Sequence, residues 1–408
     1  MKKLMAWSTS ALVMAASMTL AESVELSANV TRRVVESRPL SEEVIKGLQW
    51  LVEHQLPSGG WGQGEEAVNM GRGGDLKDVP NVADTCVAVL ALLRSGSTPS
   101  DGEYADPIRK GVDFVCEQVR NSDDDSLYVT EIRGTRVQGK IGTYVDTFLS
   151  AQLLTEVKDV MPDEGKTEDV LYCLNRIIRK IEKNQQQDGG WAGQGWAPVH
   201  SEALASKALN RAAASGVAVS ENVRIRAQDR AVGKFDRQAG TFDKSGSAGV
   251  DLYAAAAAFN AMQESENYNA SVKGKVEQQA EGKDTDEARI ARDRLDKYEE
   301  NTQSLKATRT AVVEKLDDER FIAGFGNNGG EEFLGYLNIG ESLVVEGGEP
   351  WSKWDEKIGA NLRRVQNGDG SWTGHHCITG RTFCTATALL VLMVDRMEFP
   401  AGDALAKR

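Results

Sequence analysis

The sequence predicts an all-α fold, an α/α toroid of about six helical hairpins with an inner and an outer ring of helices. Three observations predict it. First, one helix ending recurs as Gln55…Gly59…Trp61, Gln185…Gly189…Trp191 and Gln366…Gly370…Trp372, with Gln six and Gly two residues ahead of Trp each time. Three copies in one register make an internal repeat. Second, each copy leads into a strongly apolar helical run, so an amphipathic helix, a glycine turn and a buried helix form one unit. Third, the gaps between the tryptophans are about two and three times a repeat of roughly 60 residues, which leaves room for worn copies.

Taken in order, the first hairpin runs from Lys46 through Trp61 to the apolar run Asp84–Leu93, stopped at Gly96. The second opens with Lys110-Gly111-Val112-Asp113-Phe114 and leads to Asp146–Leu154. The third ends at Trp191 and leads to His200–Leu209, stopped at Gly216. The fourth has a shortened ending, Gln238-Ala239-Gly240-Thr241-Phe242, with Phe for Trp; Asp251, Tyr253 and the run Ala254 to Ala258 follow. The fifth is placed near Phe325–Gly330, leading to Phe333 through Val345, and the sixth passes Trp372 into Thr382–Leu392. Small side chains in the inner runs let helices approach closely, as a ring requires. Closing the ring covers the apolar ends that an open solenoid must cap. Hairpins one to four thus occupy 41–263 and hairpins five and six 321–398. Residues 22–40 are a linker and 399–408 a tail. Between them, 264–320 is very polar and reads as a charged helical insertion, either a solvated helix or a partner-binding arm. Glu287 to Lys315 has no Gly or Pro and predicts one long helix.

The net charge of −13 excludes nucleic acid and anionic membrane surfaces as partners, because phosphate would be repelled. Met1-Lys2-Lys3, an apolar run to Leu20 and the small residues at Thr19 and Ala21 read as a secretory signal peptide over 1–21, and hence as export to the periplasm or medium. No later segment is apolar and long enough to span a membrane. The five cysteines, Cys86, Cys116, Cys173, Cys377 and Cys384, are odd in number, so at least one is unpaired within the chain. Cys116 and Cys173 fall in helical apolar patterns and read as buried small hydrophobes.

The first ending, Lys46-Gly47…Trp50-Leu51…Gln55…Gly59…Trp61, resembles position by position the repeat of the squalene and oxidosqualene cyclases. A looser form occurs in protein prenyltransferase β-subunits. The resemblance covers nearly all of the chain after the signal peptide, excluding the insertion 264–320. It implies an α/α toroid with a central apolar cavity. It also implies that Gln55/Trp61, Gln185/Trp191 and Gln366/Trp372 tie adjacent hairpins together, a structural role. It does not bring cyclisation with it. The cyclase Asp-x-Asp-Asp acid is missing, Asp123-Asp124-Asp125 is a solvated charge run, and aromatic residues, at 6%, are few for holding carbocations. The family's two helical domains are also reduced here to one toroid. Prenyltransferase β-subunits bind zinc through Asp-x-Cys at one inner-helix start and a His at a neighbouring one. Asp84-Thr85-Cys86 matches the first element. His375 and His376 precede the last inner helix, and Cys377 or Cys384 could join them, so the resemblance implies zinc held by Asp84, Cys86, His375 or His376, and Cys384. Mixed ligation with one open position is what a catalytic zinc needs. The plainer alternative is that Asp84, Asp146 and Asp251 cap their own helices, a role Asp performs well. Prenyl transfer itself suits an exported chain poorly, since it needs a partner subunit and a prenyl diphosphate; Arg133, Arg136, Lys140 and Arg381 are only scattered candidates for a diphosphate site.

Three functions follow. One is a toroid that binds an apolar, isoprenoid-like molecule or a protein partner without catalysis. Another is a zinc-dependent enzyme at the inner-helix mouth. The third is a carbohydrate-active α/α toroid that draws its acid–base groups from the mouth residues Asp146, His200, Glu202 and Asp251, with Tyr253 beside them. No pair of carboxylates stands at a spacing diagnostic of glycoside hydrolysis.

Overall fold

A computed structural model describes residues 31–67, 76–282 and 285–400. The expected signal peptide lies outside the described residues, as do residues 22–30 of the linker and all but two residues of the tail. Helices dominate. In chain order they are α1 (Glu42–Glu53), α2 (Val82–Arg94), α3 (Ala105–Asn121), a short α4 (Arg136–Lys140), α5 (Val145–Val157), α6 (Glu164–Asn184) and α7 (Val199–Ala214). There follow α8 (Glu221–Val232), α9 (Asp251–Ala280), α10 (Asp286–Val313), a short α11 (Glu319–Ala323), α12 (Gly330–Val344), α13 (Gly348–Arg364) and α14 (Arg381–Leu392).

The apolar members α2, α5, α7, α9, α12 and α14 each pack on the next, and α14 returns to α2, so the inner ring closes. The amphipathic members stand outside: α1 against α14 and α2, α3 against α2 and α5, α6 against α5, α8 against α7 and α9, and α13 against α12 and α14. Inner helices that are apolar all round have no face to offer water; every residue of α12 is buried. The first and last described segments meet, with Thr31–Arg32 pairing antiparallel to Phe399–Pro400.

The repeat is a joint between hairpins. Each glutamine amide donates twice, once within its own turn and once to the first turn of the next outer helix. Gln55 Nε2 reaches the carbonyls of Gly59 (2.8 Å) and Pro107 (2.9 Å). Gln185 reaches Gly189 (3.0 Å) and Val223 (2.9 Å), and Gln366 reaches Gly370 (2.8 Å) and Glu43 (2.9 Å). The indole N–H of each Trp donates back to its own outer helix, at Leu51, Ile181 and Leu362. The Lys-Gly opening has its cause here as well. A Cβ on Gly47 would stand 2.9 Å from the Trp372 ring, and one on Gly111 would stand 3.1 Å from the Trp61 ring and 2.4 Å from Val89. The indole of one hairpin therefore lies flush on the glycine of the next.

The structure changes two sequence expectations about elements. The worn fourth ending forms a two-stranded ribbon, Phe235–Asp236 with Thr241–Phe242, in which the two phenylalanines pair. The charged stretch 264–320 is helical but is not all separate from the ring. It begins as the second half of α9, and α10 then packs back along α9. Leu305 and Val312 of α10 join the main core, so the end of α10 stands in the outer layer against α9. Only the far part forms an arm, held by a small apolar cluster of Val276, Ala291 and Tyr298.

The lumen is not the apolar cavity that the resemblance implies. α7 and α12 flank α9 in the ring, yet they also touch each other directly. There the Lys207 ammonium pairs with Glu341 and lies 3.3 Å from Asn338, and all three side chains are buried. Further charges continue around the ring: Arg211 bonds Glu264 (2.6 Å) and Glu156 (3.3 Å), and Arg94 lies 3.9 Å from Glu156.

Candidate functional site

At the other end of the lumen, α12 begins with two carboxyl groups. Glycines set up the approach to it. The loop Gly324–Gly330 lies so close to the segment 374–380 that side chains would not fit. A Cβ on Gly326 would meet the His376 ring at 2.6 Å, and one on Gly329 would meet both His376 and Glu332 at 2.8 Å. Opposite, Cys377 holds a positive φ of 55°, rare for a non-glycine residue, which turns the 374–380 segment back onto α12. The backbone N–H of Gly330 donates to the Ile378 carbonyl and that of His375 to the Asn328 carbonyl, so the two loops are stitched together.

These loops bring Glu331, Glu332, His376 and Cys377 together. One ligand atom each from Glu331, His376 and Cys377 lies within 4.8 Å of the others. Glu331 accepts from the Ile378 N–H through Oε2 (3.2 Å), while its Oε1 is buried without a partner. Glu332 accepts from the Tyr253 hydroxyl and from the Phe325 N–H (2.9 Å), and its Oε2 lies 3.2 Å from His376 Nε2. That last contact is close but poorly aligned as a hydrogen bond, and both His376 ring nitrogens are otherwise unmatched. His200 of α7 stands beside Tyr253, with ring centres 4.9 Å apart and neither nitrogen bonded.

The environment separates these groups. Burial and the neighbouring Glu332 charge push Glu331 up to about 7. Burial also acts to raise Glu332, but His376, Tyr253 and the Phe325 N–H outweigh it and hold Glu332 below its usual range. Burial pulls His376 down, yet Cys377 and Glu332 overcome this and raise it to about 10. His200 has no strong partner, and burial takes it down to about 4, so it is neutral at neutral pH.

Aromatic rings crowd the rim. Trp196 packs edge-on to Tyr253 (6.0 Å) and to Phe325 (5.1 Å), Phe325 packs on His376 (5.1 Å), and the Lys140 ammonium sits 5.3 Å over Trp196. Phe325 is 57% exposed, unusual for so large an apolar side chain. Three of the chain's aromatic side chains, Trp196, Tyr253 and Phe325, thus meet at this mouth.

Of the residues the sequence singles out, His376, Cys377, His200 and Tyr253 belong to this cluster. Cys384 lies against it, its thiol donating to the Ile378 carbonyl (3.4 Å). The others lie elsewhere. Cys86 is fully buried against Ser150 (3.7 Å), and burial pushes its thiol up, so it is a poor ligand in place. His375 is exposed, and its ring is not among the three converging ligands. Asp84 does reach α14, as ring closure predicts, but it serves its own helix start. Asn81 is the true N-cap of α2, and Asp84 accepts from its amide at 2.7 Å. Asp146 does not cap its own helix either; it accepts from the Ala83 N–H at the start of α2 (2.9 Å) and from Gln138 (2.8 Å), clamping two inner helices. Asp251 pairs with Lys244, and Glu202 with Arg230 at 2.7 Å. Glu331 and Glu332 are the residues that pattern reading passes over. Their signal is there: two adjacent acids open a helix that is otherwise apolar, directly after a run of glycines.

The donor set fits a transition metal. Carboxylate, imidazole and thiolate together suit zinc, and three protein ligands leave the fourth position open. The unmatched buried atoms of Glu331 and His376 are what a missing ion would leave behind, since buried polar atoms are nearly always satisfied.

No family model matches the chain, and no curated protein matches it. Among solved structures it is similar to one titled a novel alpha-amylase from Clostridium perfringens, at 9% identity and a TM-score of 0.51, over 88% of this chain and 99% of that one. At that identity the likeness speaks for the fold, and the shared fold is the α/α toroid.

Proposed function

We propose that the chain is a metal-dependent enzyme whose centre is Glu331, His376 and Cys377 at the mouth of the toroid, and that it acts on a carbohydrate. The observation that carries the reading is the convergence of these three ligand atoms together with the unmatched buried atoms of Glu331 and His376. Zinc bound there would supply a Lewis acid and an activated water or thiolate. The chain's own residues do the rest. Glu332, held by Tyr253, stands 3.2 Å from His376 Nε2, where a carboxylate could support a metal-binding histidine once the ring settles on the ion. Trp196 and Phe325 offer apolar ring faces beside the centre, against which the C–H face of a sugar can lie while its hydroxyls turn to the polar groups.

The substrate class is supported by those rings and by the alpha-amylase title of the similar toroid. The apolar-ligand reading has less support, because the lumen is crossed by the Lys207–Glu341 pair. The Gln–Trp joints support a kinship with the cyclases and prenyltransferase β-subunits in which the cyclase acid has been lost.

The test is elemental analysis of protein purified without chelator, with reducing-sugar release from starch and other polysaccharides as the readout of activity. About one zinc per chain is expected. Cys377→Ser and His376→Ala should drop it at least tenfold, while Cys86→Ser leaves it unchanged. Metal-free protein, or sugar release untouched by chelation, would overturn the reading.

A further inference from the structure

The third joint differs from the other two. Trp61 and Trp372 are fully buried, each flush on a glycine of the next hairpin. At the third joint Gln185 bonds Val223, and the residue one turn on, where Gly111 and Gly47 stand in the other joints, is Ala227. Trp191 is accordingly only partly buried and packs edge-on against Phe148, with ring centres 5.4 Å apart. Beside it opens a cavity of about 310 Å³. Tyr144, Phe148 and Trp191 form its apolar walls, and Gln186, Glu202 and Arg230 bring polar groups to it. The Arg230 guanidinium is fixed by Asp188 and Glu202 (2.7 Å each), and its Nε is buried without a partner.

We infer that this cavity is a sugar-binding subsite that takes one ring of a glycan. The inference rests on the carbohydrate reading above and deepens it. Three aromatic walls with a few fixed donors and acceptors match the two sides of a pyranose, an apolar C–H face and an edge of hydroxyls. The volume falls at the lower end of the range for small-ligand sites, about 300–1,000 Å³. Its placement also fits. One short segment carries Trp191 into the cavity and, five residues on, Trp196 into the metal-centre rim. A chain bound at Trp191 would therefore lie next to the loop that borders the reacting centre.

The experiment is a titration of the intact protein with maltotriose, cellotriose and chitotriose, each alone, followed by calorimetry and tryptophan fluorescence. At least one trisaccharide should bind, with a blue-shifted tryptophan emission. Trp191→Ala should weaken that binding at least tenfold. Glu202→Gln, on a partly exposed side chain that leaves the core intact, should weaken it severalfold. Lys353→Ala, at an exposed position on α13 outside the cavity's lining, should leave it unchanged. Binding that survives Trp191→Ala and Glu202→Gln overturns the subsite while leaving the enzyme reading in place. Binding that depends on Trp191 in a protein that holds no zinc and releases no sugar sustains the subsite and sinks the enzyme reading. If none of the three sugars binds, the subsite falls, and the zinc measurement still decides the metal centre separately.

Discussion

Asp84 lies one turn into α2 with its carboxyl completely buried, and burial, with the charges of Asp146 and Glu66, pushes it up to about 8 against the help of Asn81. The sign of the consequence is fixed. The folded chain holds a proton there that the unfolded chain has released above about pH 4, so stability falls as pH rises from there towards about 8. Asp84→Asn removes the titration and keeps an acceptor for Asn81. Urea unfolding at pH 5 and pH 8.5 should show the wild type losing stability between the two, and the variant losing about 1–3 kcal/mol less, the order of an unmatched buried polar group. The same residue marks a limit of reading sequence. A repeated Asp at inner-helix starts is visible, and the cap is the natural inference, yet Asn81 takes that place and Asp146 clamps the neighbouring helix instead. Which backbone N–H an acid meets is decided by the approach of a second helix, and that approach leaves no local pattern.

The joints were readable because they are made from short-range geometry. Glutamine, glycine turn and indole all belong to one ending, and the partner is always the next hairpin. The tight approach at Gly111 gives a direct expectation. Gly111→Ala should cost about 1–3 kcal/mol through overpacking against Val89 and Trp61, despite alanine's better helix propensity, as measured by chemical denaturation. A result near zero would mean that the indole has room to shift. The glycine loop before α12 shows the opposite case. Phe325 to Gly330 looks like a worn joint, and its glycines were legible. Their purpose was not, because the bodies they make room for, His376 and Glu332, arrive from the next hairpin and from the loop's own helix. The polar arm was half legible in the same way. Composition shows that 264–320 is charged and helical, but only the packing of Leu305 and Val312 shows where the arm ends and the ring resumes.

Across the whole ring, the two ends of the inner helices are built differently. One carries the candidate centre, the other a belt of charges in which Glu341 faces Lys207, Arg211 and Arg94. Burial alone would raise Glu341, but these three cations outweigh it and hold its carboxyl far below the ordinary range. A depressed carboxyl contributes stability that is fully present above its unfolded pKa near 4.5 and is lost as pH falls below that value. Acid unfolding should therefore begin below about pH 4.5. Glu341→Gln should weaken that acid dependence and, by stranding Lys207, cost about 3–5 kcal/mol at neutral pH. Unchanged stability by thermal melting would show that water already reaches the pair. None of this belt is visible as a motif, since its members come from five helices spread between Arg94 and Glu341.

The antiparallel pairing of residues 31–32 with 399–400 closes the ring next to α14, and Arg38 adds bonds to Asp355 and Asp395. The last inner helix to leave the ribosome, α14, is the one that must sit between α12 and the first-made α2. Until that moment the nascent protein is an open arc with two bare apolar edges, each able to accept a helix from another molecule. Biogenesis, rather than the finished ring, is then the vulnerable stage. Joining residue 31 to residue 400 by a short tether and opening the chain between Ala280 and Asp286 would move that last-closing seam from α14 and α2 to α9 and α12.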